Sequence, residues 1–338
     1  MTTLSLPSVE IILGVDTTGS MQAVINNAIS TAQAIENKLK DSHFNVNLSI
    51  AGVNDFSPIH VEHESPIEWN VNLNAITAHG GGDTPEAYST FIDEACARLE
   101  TTNENSIRII ILIGDSYGHG MPPIQNGRNH VDNFSDGDPN GITIPSTMKR
   151  MKEAKTTFYY VLAGKATENS ELWGAANAKY TDGAVIPMNI NDFKKGEENP
   201  VAKTLSMYIE GQVSMISALN SKKNELEGKS VDEIAKILAD FMKEKGKKIA
   251  ELSETVEHSA TDAMIDSVDS STSNTSFYRS LGTILENSQT SSMRHYSNDT
   301  VGHFRGGTRD VSATIETLEA DSRLPSIQRV ASLASQRL

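Results

Sequence analysis

The chain has 338 residues, a formal net charge of −15 and a hydrophobic share of 38%, enough for one domain of about 200 residues with its own core and a second element. So acidic a chain is repelled by phosphates and anionic headgroups, which argues against nucleic acid or a charged lipid surface as its main partner. Cys96 is the sole cysteine, so no intrachain disulfide forms; no stretch is apolar enough to span a bilayer, the polar start lacks a leader's basic and apolar regions, and the expected compartment is the cytoplasm.

Val9, Ile11, Ile12 and Val15 form a β-branched run that suits a central strand covered on both faces. It ends in Asp16, and in an open α/β sheet ligands gather at that carboxyl edge. Thr18 and Ser20 follow in the turn, before a helix periodic in Val24, Ile25, Ala28, Ile29, Ala32, Ile35 and Leu39. One carboxylate with two neutral hydroxyls suits Mg²⁺, which takes oxygen ligands at about 2.1 Å and keeps several waters. The alternative is that Thr18 or Ser20 only caps the helix. Val46, Leu48 and Ile50 alternate with polar neighbours, and a turn at Ser57-Pro58 leads to Ile59-His-Val61, which predicts a hairpin at the sheet edge. Asp55 ends the first arm and is a candidate to stand behind the site's ligands. A short helix is expected around Val71, Leu73 and Ile76.

The run Gly80-Gly81-Gly82-Asp83-Thr84-Pro85-Glu86 places a flexible turn before a hydroxyl and a proline suited to a first helical position. The helix it opens carries Ala87, Phe91, Ile92, Ala95 and Leu99 on one face. Ile107 to Ile113 is a second buried-strand run, and a parallel sheet would bring the following Asp115 beside Asp16. Taken singly, Thr84 also reads as a helix cap and Asp115 as a turn residue.

Asp16-x-Thr18-x-Ser20, the glycine turn with Thr84, and strand-terminal Asp115 together resemble a von Willebrand factor A domain with its metal-ion-dependent adhesion site. The resemblance implies that Thr18 and Ser20 bind Mg²⁺ (or Mn²⁺) directly, Thr84 directly or through water, and Asp16 and Asp115 mainly through water. A remaining position would accept a partner's carboxylate. The family more often has serine where Thr18 stands, and Asp83 is an extra carboxylate beside the site. Gly114-Asp-Ser-Tyr-Gly-His-Gly120 and Asp136-Gly-Asp138-Pro-Asn140-Gly141 resemble the intracellular A domains found beside alpha-kinase domains, and those of hemicentins. The likeness covers about residues 7 to 215.

A long irregular stretch separates Asp115 from Ile142, and loops beyond about 15 residues inside a domain are usually functional or disordered. Its Tyr117, His119 and Arg128 are candidate rim contacts for a partner. Asp136-x-Asp138-x-Asn140 imitates the opening of an EF-hand loop, but the twelfth position is Thr147 instead of glutamate, so a turn-rich loop shaping ligand access is expected. Pro145, Met148, Met151 and Ala154 then fit a helix, Phe158 to Leu162 a strand, Leu172 to Tyr180 a helix and Ala184 to Met188 a strand. The fold class expected is α/β, a doubly wound, mostly parallel, Rossmann-like sheet with one antiparallel edge strand. A helical, partly disordered C-terminal region follows it.

The divisions expected are a metal-binding domain over 1–218, a helical segment over 219–268 and a Ser/Thr-rich, weakly ordered tail over 269–338. Ser230-Val-Asp-Glu233 has capping-box spacing, and Ile234, Ile237, Leu238, Phe241 and Met242 form a stripe, which predicts an amphipathic helix near 230–257. It either packs on its neighbours or serves partner binding, self-association or a coiled coil.

No enzyme is expected. A haloacid-dehalogenase-type phosphotransferase needs a second acid where this chain has Thr18, and no Gly-x-x-x-x-Gly-Lys-Ser/Thr loop exists. The function expected is cation-dependent capture of a protein bearing an exposed Asp or Glu. The alternative is an interaction scaffold working through the tail, with a structural metal.

Overall fold

A computed structural model describes residues 8–40, 45–56, 65–104, 106–121, 132–164, 167–188, 198–230, 232–234, 236–237, 240, 248–252, 259–270, 277 and 315–319. Its six-stranded sheet runs in the spatial order β3 (Ile67–Trp69), β2 (Asn45–Val53), β1 (Ser8–Asp16), β4 (Ile107–Gly114), β5 (Thr156–Ala163) and β6 (Ala184–Met188). Every neighbouring pair is parallel except β2 and β3. The antiparallel edge strand is therefore present, but Ile67–Trp69 forms it, while Ile59 to Val61 lie outside the described residues.

Pleating sends successive side chains of a strand to opposite faces, and here both faces are covered. Ile12, Ile110, Leu112, Phe158 and Tyr160 point into one core, closed by Phe91, Ile92 and Ala95 of α2 (Tyr88–Glu100), Met148 and Met151 of α3 (Ile144–Glu153), and Leu172 and Trp173 of α4 (Glu168–Tyr180). Val9, Ile11, Leu13, Ile109 and Ile111 point the other way, against Ala28, Ala32 and Ile35 of α1 (Ile25–Lys40) and Leu205, Ile209 and Val213 of α5 (Pro200–Leu226). This double cover is why β1 and β4 are apolar at consecutive positions. Short apolar alternation would have left one face wet.

α3 and α4 each begin with a reciprocal cap, Thr143 with Ser146 and Thr167 with Ser170, which satisfies backbone donors at the helix start. α2 begins later than the proline suggests. Pro85 does not open it, because the Glu86 N–H is taken by the Tyr117 carbonyl at 2.8 Å in a bridge between the two loops. Cys96 is buried on the inner face of α2, where desolvation pushes its thiol up to about 12.

Beyond α5, Ser230 and Glu233 form the expected cap, the Ser230 N–H and hydroxyl each donating to the Glu233 carboxylate at 2.9 Å. The helix does not run on to 257. Lys248–Leu252 is instead a strand, β7, paired antiparallel with β8 (Ile315–Glu319). Gly246 costs a helix about 1 kcal/mol, and Lys248–Leu252 pairs residue for residue with β8 instead. A helix then forms at α6 (Ser259–Ser270), whose Met264 and Val268, with Phe277, join the core of α2, α3 and α4. The Tyr180 hydroxyl donates to Asp269 at 2.7 Å and pins that contact. Among the described residues no helix is long and apolar enough to cross a membrane.

Because Met264 is fully buried, Met264→Ala is expected to destabilise the chain by about 2–4 kcal/mol through lost burial and a cavity. Urea unfolding checks it: a lower midpoint at unchanged slope is expected, and an unchanged midpoint places α6 outside the cooperative unit.

Candidate functional site

The strand order reverses between β1 and β4, so the loops leaving their carboxyl ends diverge and open a crevice. Asp16 is the last residue of β1 and Asp115 the first after β4. Asp16 is completely buried. Its Oδ1 accepts from the Thr18 N–H at 2.8 Å and the Thr18 hydroxyl at 2.7 Å, and its Oδ2 accepts from the Tyr88 hydroxyl. Thr18 and Ser20 hydroxyl oxygens lie 3.1 Å apart, and the Ser20 hydroxyl donates to Asp115 Oδ1 at 3.0 Å. Four of the expected ligands thus form one continuous chain of oxygens. The capping alternative for Thr18 does not hold, since its side chain accepts from no backbone N–H of the 3₁₀ turn Gly19–Ala23 that it precedes.

Thr84 stands exposed, and its backbone carbonyl accepts from the Ser116 hydroxyl. Among the described residues no hydrogen bond joins its own hydroxyl to the other four. The turn that carries it is strapped to the β1 loop: the His79 N–H donates to the Thr17 carbonyl at 2.8 Å and the Gly19 N–H to the Gly80 carbonyl at 3.2 Å. Asn54, at the end of β2, donates from its amide to Thr17 Oγ1 at 3.1 Å and to the His79 carbonyl at 2.9 Å. Gly80 and Gly81 take φ of 71° and 79°, in the left-handed region where glycine is favoured. Gly114 matters for a different reason, because a Cβ there would collide with the Tyr88 hydroxyl that holds Asp16.

A further carboxylate lies in this crevice. Glu86 is 2% exposed, lies beside Thr18, and leaves Oε2 buried without a partner. Burial first, and then the charges of Asp16 and Asp55, push its pKa up to about 11. Asp16 is raised to about 7 by burial and by Asp115, and Asp115 is raised by burial. So many buried oxygens short of positive charge are a donor set that a hard divalent cation fits.

The residues expected around the rim sit elsewhere. Tyr117 and His119 are 1% and 0% exposed, which removes them as partner contacts, and Arg128 lies outside the described residues. His119 faces Asp55 at 2.8 Å through Nε2 and Asp132 at 2.9 Å through Nδ1. Burial pulls its pKa down, but the bonds to Asp132 and Asp55 outweigh that and hold it up at about 9. Asp83 closes the group from the glycine turn and is raised to about 6, chiefly by burial. Asp138 is occupied in capping its own turn, accepting from the Asn140 and Ile142 N–H groups at 2.9 and 2.8 Å and from the Thr90 hydroxyl.

Sequence reasoning left out Asn54, Glu86, Tyr88 and Asp132. The Pro85-Glu86 pair after the glycines was the available signal for Glu86, and it was read only for the proline's fit to a first helical position.

No family model matches the chain, and no curated protein does. Among solved structures it is similar to the pilus adhesin SpaC from Lactobacillus rhamnosus GG in its open conformation, with 16% identity and a TM-score of 0.39 over 63% of this chain. The match spans 30% of that adhesin.

Asp16, Glu86 and His119 all have folded pKa values above their ordinary ones, so each favours the protonated folded form. Each contribution is whole below the unfolded pKa and lost as pH rises through the folded one. With chelator present, thermal stability is therefore expected to fall from about pH 4 upward, through about 7 for Asp16 and 9 for His119. The facing groups Asp115, Asp55 and Tyr88 add no compensating cation. Glu86→Gln should flatten this profile; a chelated chain with stability constant from pH 5 to 9 contradicts the assignment.

Proposed function

We propose that the chain is a divalent-cation-dependent protein-binding module, of the von Willebrand factor A kind. In this reading Asp16, Thr18, Ser20, Thr84 and Asp115 hold Mg²⁺ or Mn²⁺. The observation that carries it is the unbroken chain of oxygens from Asp16 through Thr18 and Ser20 to Asp115 at the sheet's switch point. Glu86, with an unpartnered buried oxygen beside that chain, supports a cation over a purely structural network.

The chain's own residues set the geometry. Tyr88 and Thr18 engage both oxygens of Asp16, which fixes its orientation and leaves it unsuited to act as a nucleophile. The straps from Asn54, His79 and Gly19 hold the glycine turn against the β1 loop, so Thr84 is carried at a set place on the exposed side. Bound there, the cation supplies a coordination position that a partner's Asp or Glu can fill. A molecule with net charge −15 repels an acidic group, and Asp16 and Asp115 strengthen that repulsion at the crevice. Capture of a carboxylate is then strictly cation-dependent, with the surrounding loops setting which partner fits.

The competing scaffold reading draws no support from Met264, Val268 and Phe277, which among the described residues of that region are committed to the core. For the same reason a truncation near residue 220 is a poor test.

Full-length protein immobilised for affinity capture, followed by identification of what it retains, tests the proposal. With Mg²⁺ present a specific partner is expected; chelator, Asp16→Ala or Ser20→Ala should each reduce capture at least about tenfold, equivalent to the loss of about 1.4 kcal/mol. Ser20 is exposed, so its variant keeps the fold. Equal capture with chelator, or by both variants, defeats the reading.

A further inference from the structure

We propose that Asp55, Asp83 and His119 form a second metal site, separate from the Asp16 centre, that takes a divalent transition ion, Zn²⁺ in the first instance. One ligand atom from each of the three lies within 4.8 Å of the other two. Ligands bonded to a common ion at about 2.0–2.2 Å stand about 3–3.5 Å apart, so only small side-chain adjustment is needed.

The imidazole is already prepared as a ligand. Asp132 Oδ1 accepts from Nδ1–H at 2.9 Å, and Asp132 is itself anchored by the N–H groups of Gly120 and Phe134, both at 2.8 Å. A carboxylate behind the distal nitrogen fixes the ring orientation and turns Nε2 toward Asp55; the proton that Nε2 now donates to Asp55 is released to solvent when the ion takes its place. The rings of Phe134 and Phe56, with centroids 5.0 and 6.1 Å from that of His119, close off solvent on the flanks.

The carboxylates are aimed into the same space and left unsatisfied. Asp55 has a side chain only 1% exposed, yet its Oδ2 is buried with no partner. Asp83 uses Oδ2 to accept from the Asn133 N–H at 2.6 Å, which leaves Oδ1 buried and also without a partner. A structural strut, with an imidazolium between Asp55 and Asp132, would account for His119 but for neither of those oxygens. Three carboxylates around one imidazole still lack positive charge, and an uncompensated buried charge is costly.

The donor set selects the ion. Mg²⁺ and Ca²⁺ favour all-oxygen shells, whereas imidazole with carboxylates suits Zn²⁺, Mn²⁺ or Fe²⁺. The two centres would then accept different ions at the same sheet edge.

Full-length protein is stripped with chelator, dialysed, and titrated with Zn²⁺ against a chromophoric competitor in excess Mg²⁺, which occupies the Asp16 centre. One Zn²⁺ per chain is expected, with affinity unchanged in Asp16→Ala. Asp83→Asn is the decisive variant, because its amide oxygen still accepts from Asn133 and its unfolding midpoint in chelator should match the parent. It is expected to bind Zn²⁺ at least about 100-fold more weakly, as is His119→Gln. No uptake by the folded parent, uptake lost in Asp16→Ala, or full affinity in Asp83→Asn overturns the site and leaves the strut in its place.

Discussion

The carboxylate of Asp16, with no exposed surface at the end of a central strand, is the constraint around which the carboxyl edge is organised. A buried ionised carboxylate is tolerable only when donors or a cation surround it. The chain supplies donors from two directions: the Thr18 N–H and hydroxyl from the loop after β1, and the Tyr88 hydroxyl from the first turn of α2. Tyr88 reaches that far because Gly114 presents no side chain. The same edge then adds Asp115 and Glu86, more carboxyl groups than the available donors can hold ionised together. The upward displacement of Asp16 and Glu86 is the electrostatic record of that imbalance.

Rigid placement of the surrounding loops follows from backbone groups more than from side chains. The β1 loop, the glycine turn and the β4 loop exchange N–H to carbonyl bonds at Thr17, Gly19, His79, Gly80, Glu86 and Tyr117. Such bonds replace the strand and helix ladders that loop backbones lack, and buried backbone groups must find some partner. Asn54 extends the network sideways to β2 through a single amide. The sheet beneath is covered on both faces, so its strand ends form a stiff base from which those loops project.

Most of the sheet was legible because a strand buried on both faces reads as an unbroken apolar run, and both β1 and β4 have one. Their shared direction alone brings Asp16 beside Asp115. Ile67–Trp69 was not legible: three residues are too few to display alternation, and Ile59 to Val61 offered a better local pattern. His119 was misjudged as a rim contact and Glu86 was not singled out, for a common reason. A charged residue in a loop reads as solvent-facing, and what buries it here comes from far along the chain, Asp132 and Asp55 for the one and the bridge to Gly118 for the other. The helix expected over 230–257 ended early because an amphipathic stripe carries no information about a strand partner some sixty residues later, as β8 is to β7.

The short sequence Asp83-Thr84-Pro85-Glu86 joins the two clusters of carboxylates. Asp83 faces His119, while Glu86 turns into the crevice beside Asp16 and Thr18. The residues between them are pinned to the β4 loop by Ser116 and Tyr117, and that loop also carries Asp115 and His119. Two loops therefore supply groups to both clusters, and neither can shift at one without moving the other. Electrostatics adds to this mechanical tie, since the charges of Asp16 and of Asp55 both act on Glu86. Glu86 thus stands within range of the negative charge of both clusters, and in a poorly solvated crevice that closeness, added to burial, is what keeps its proton in place.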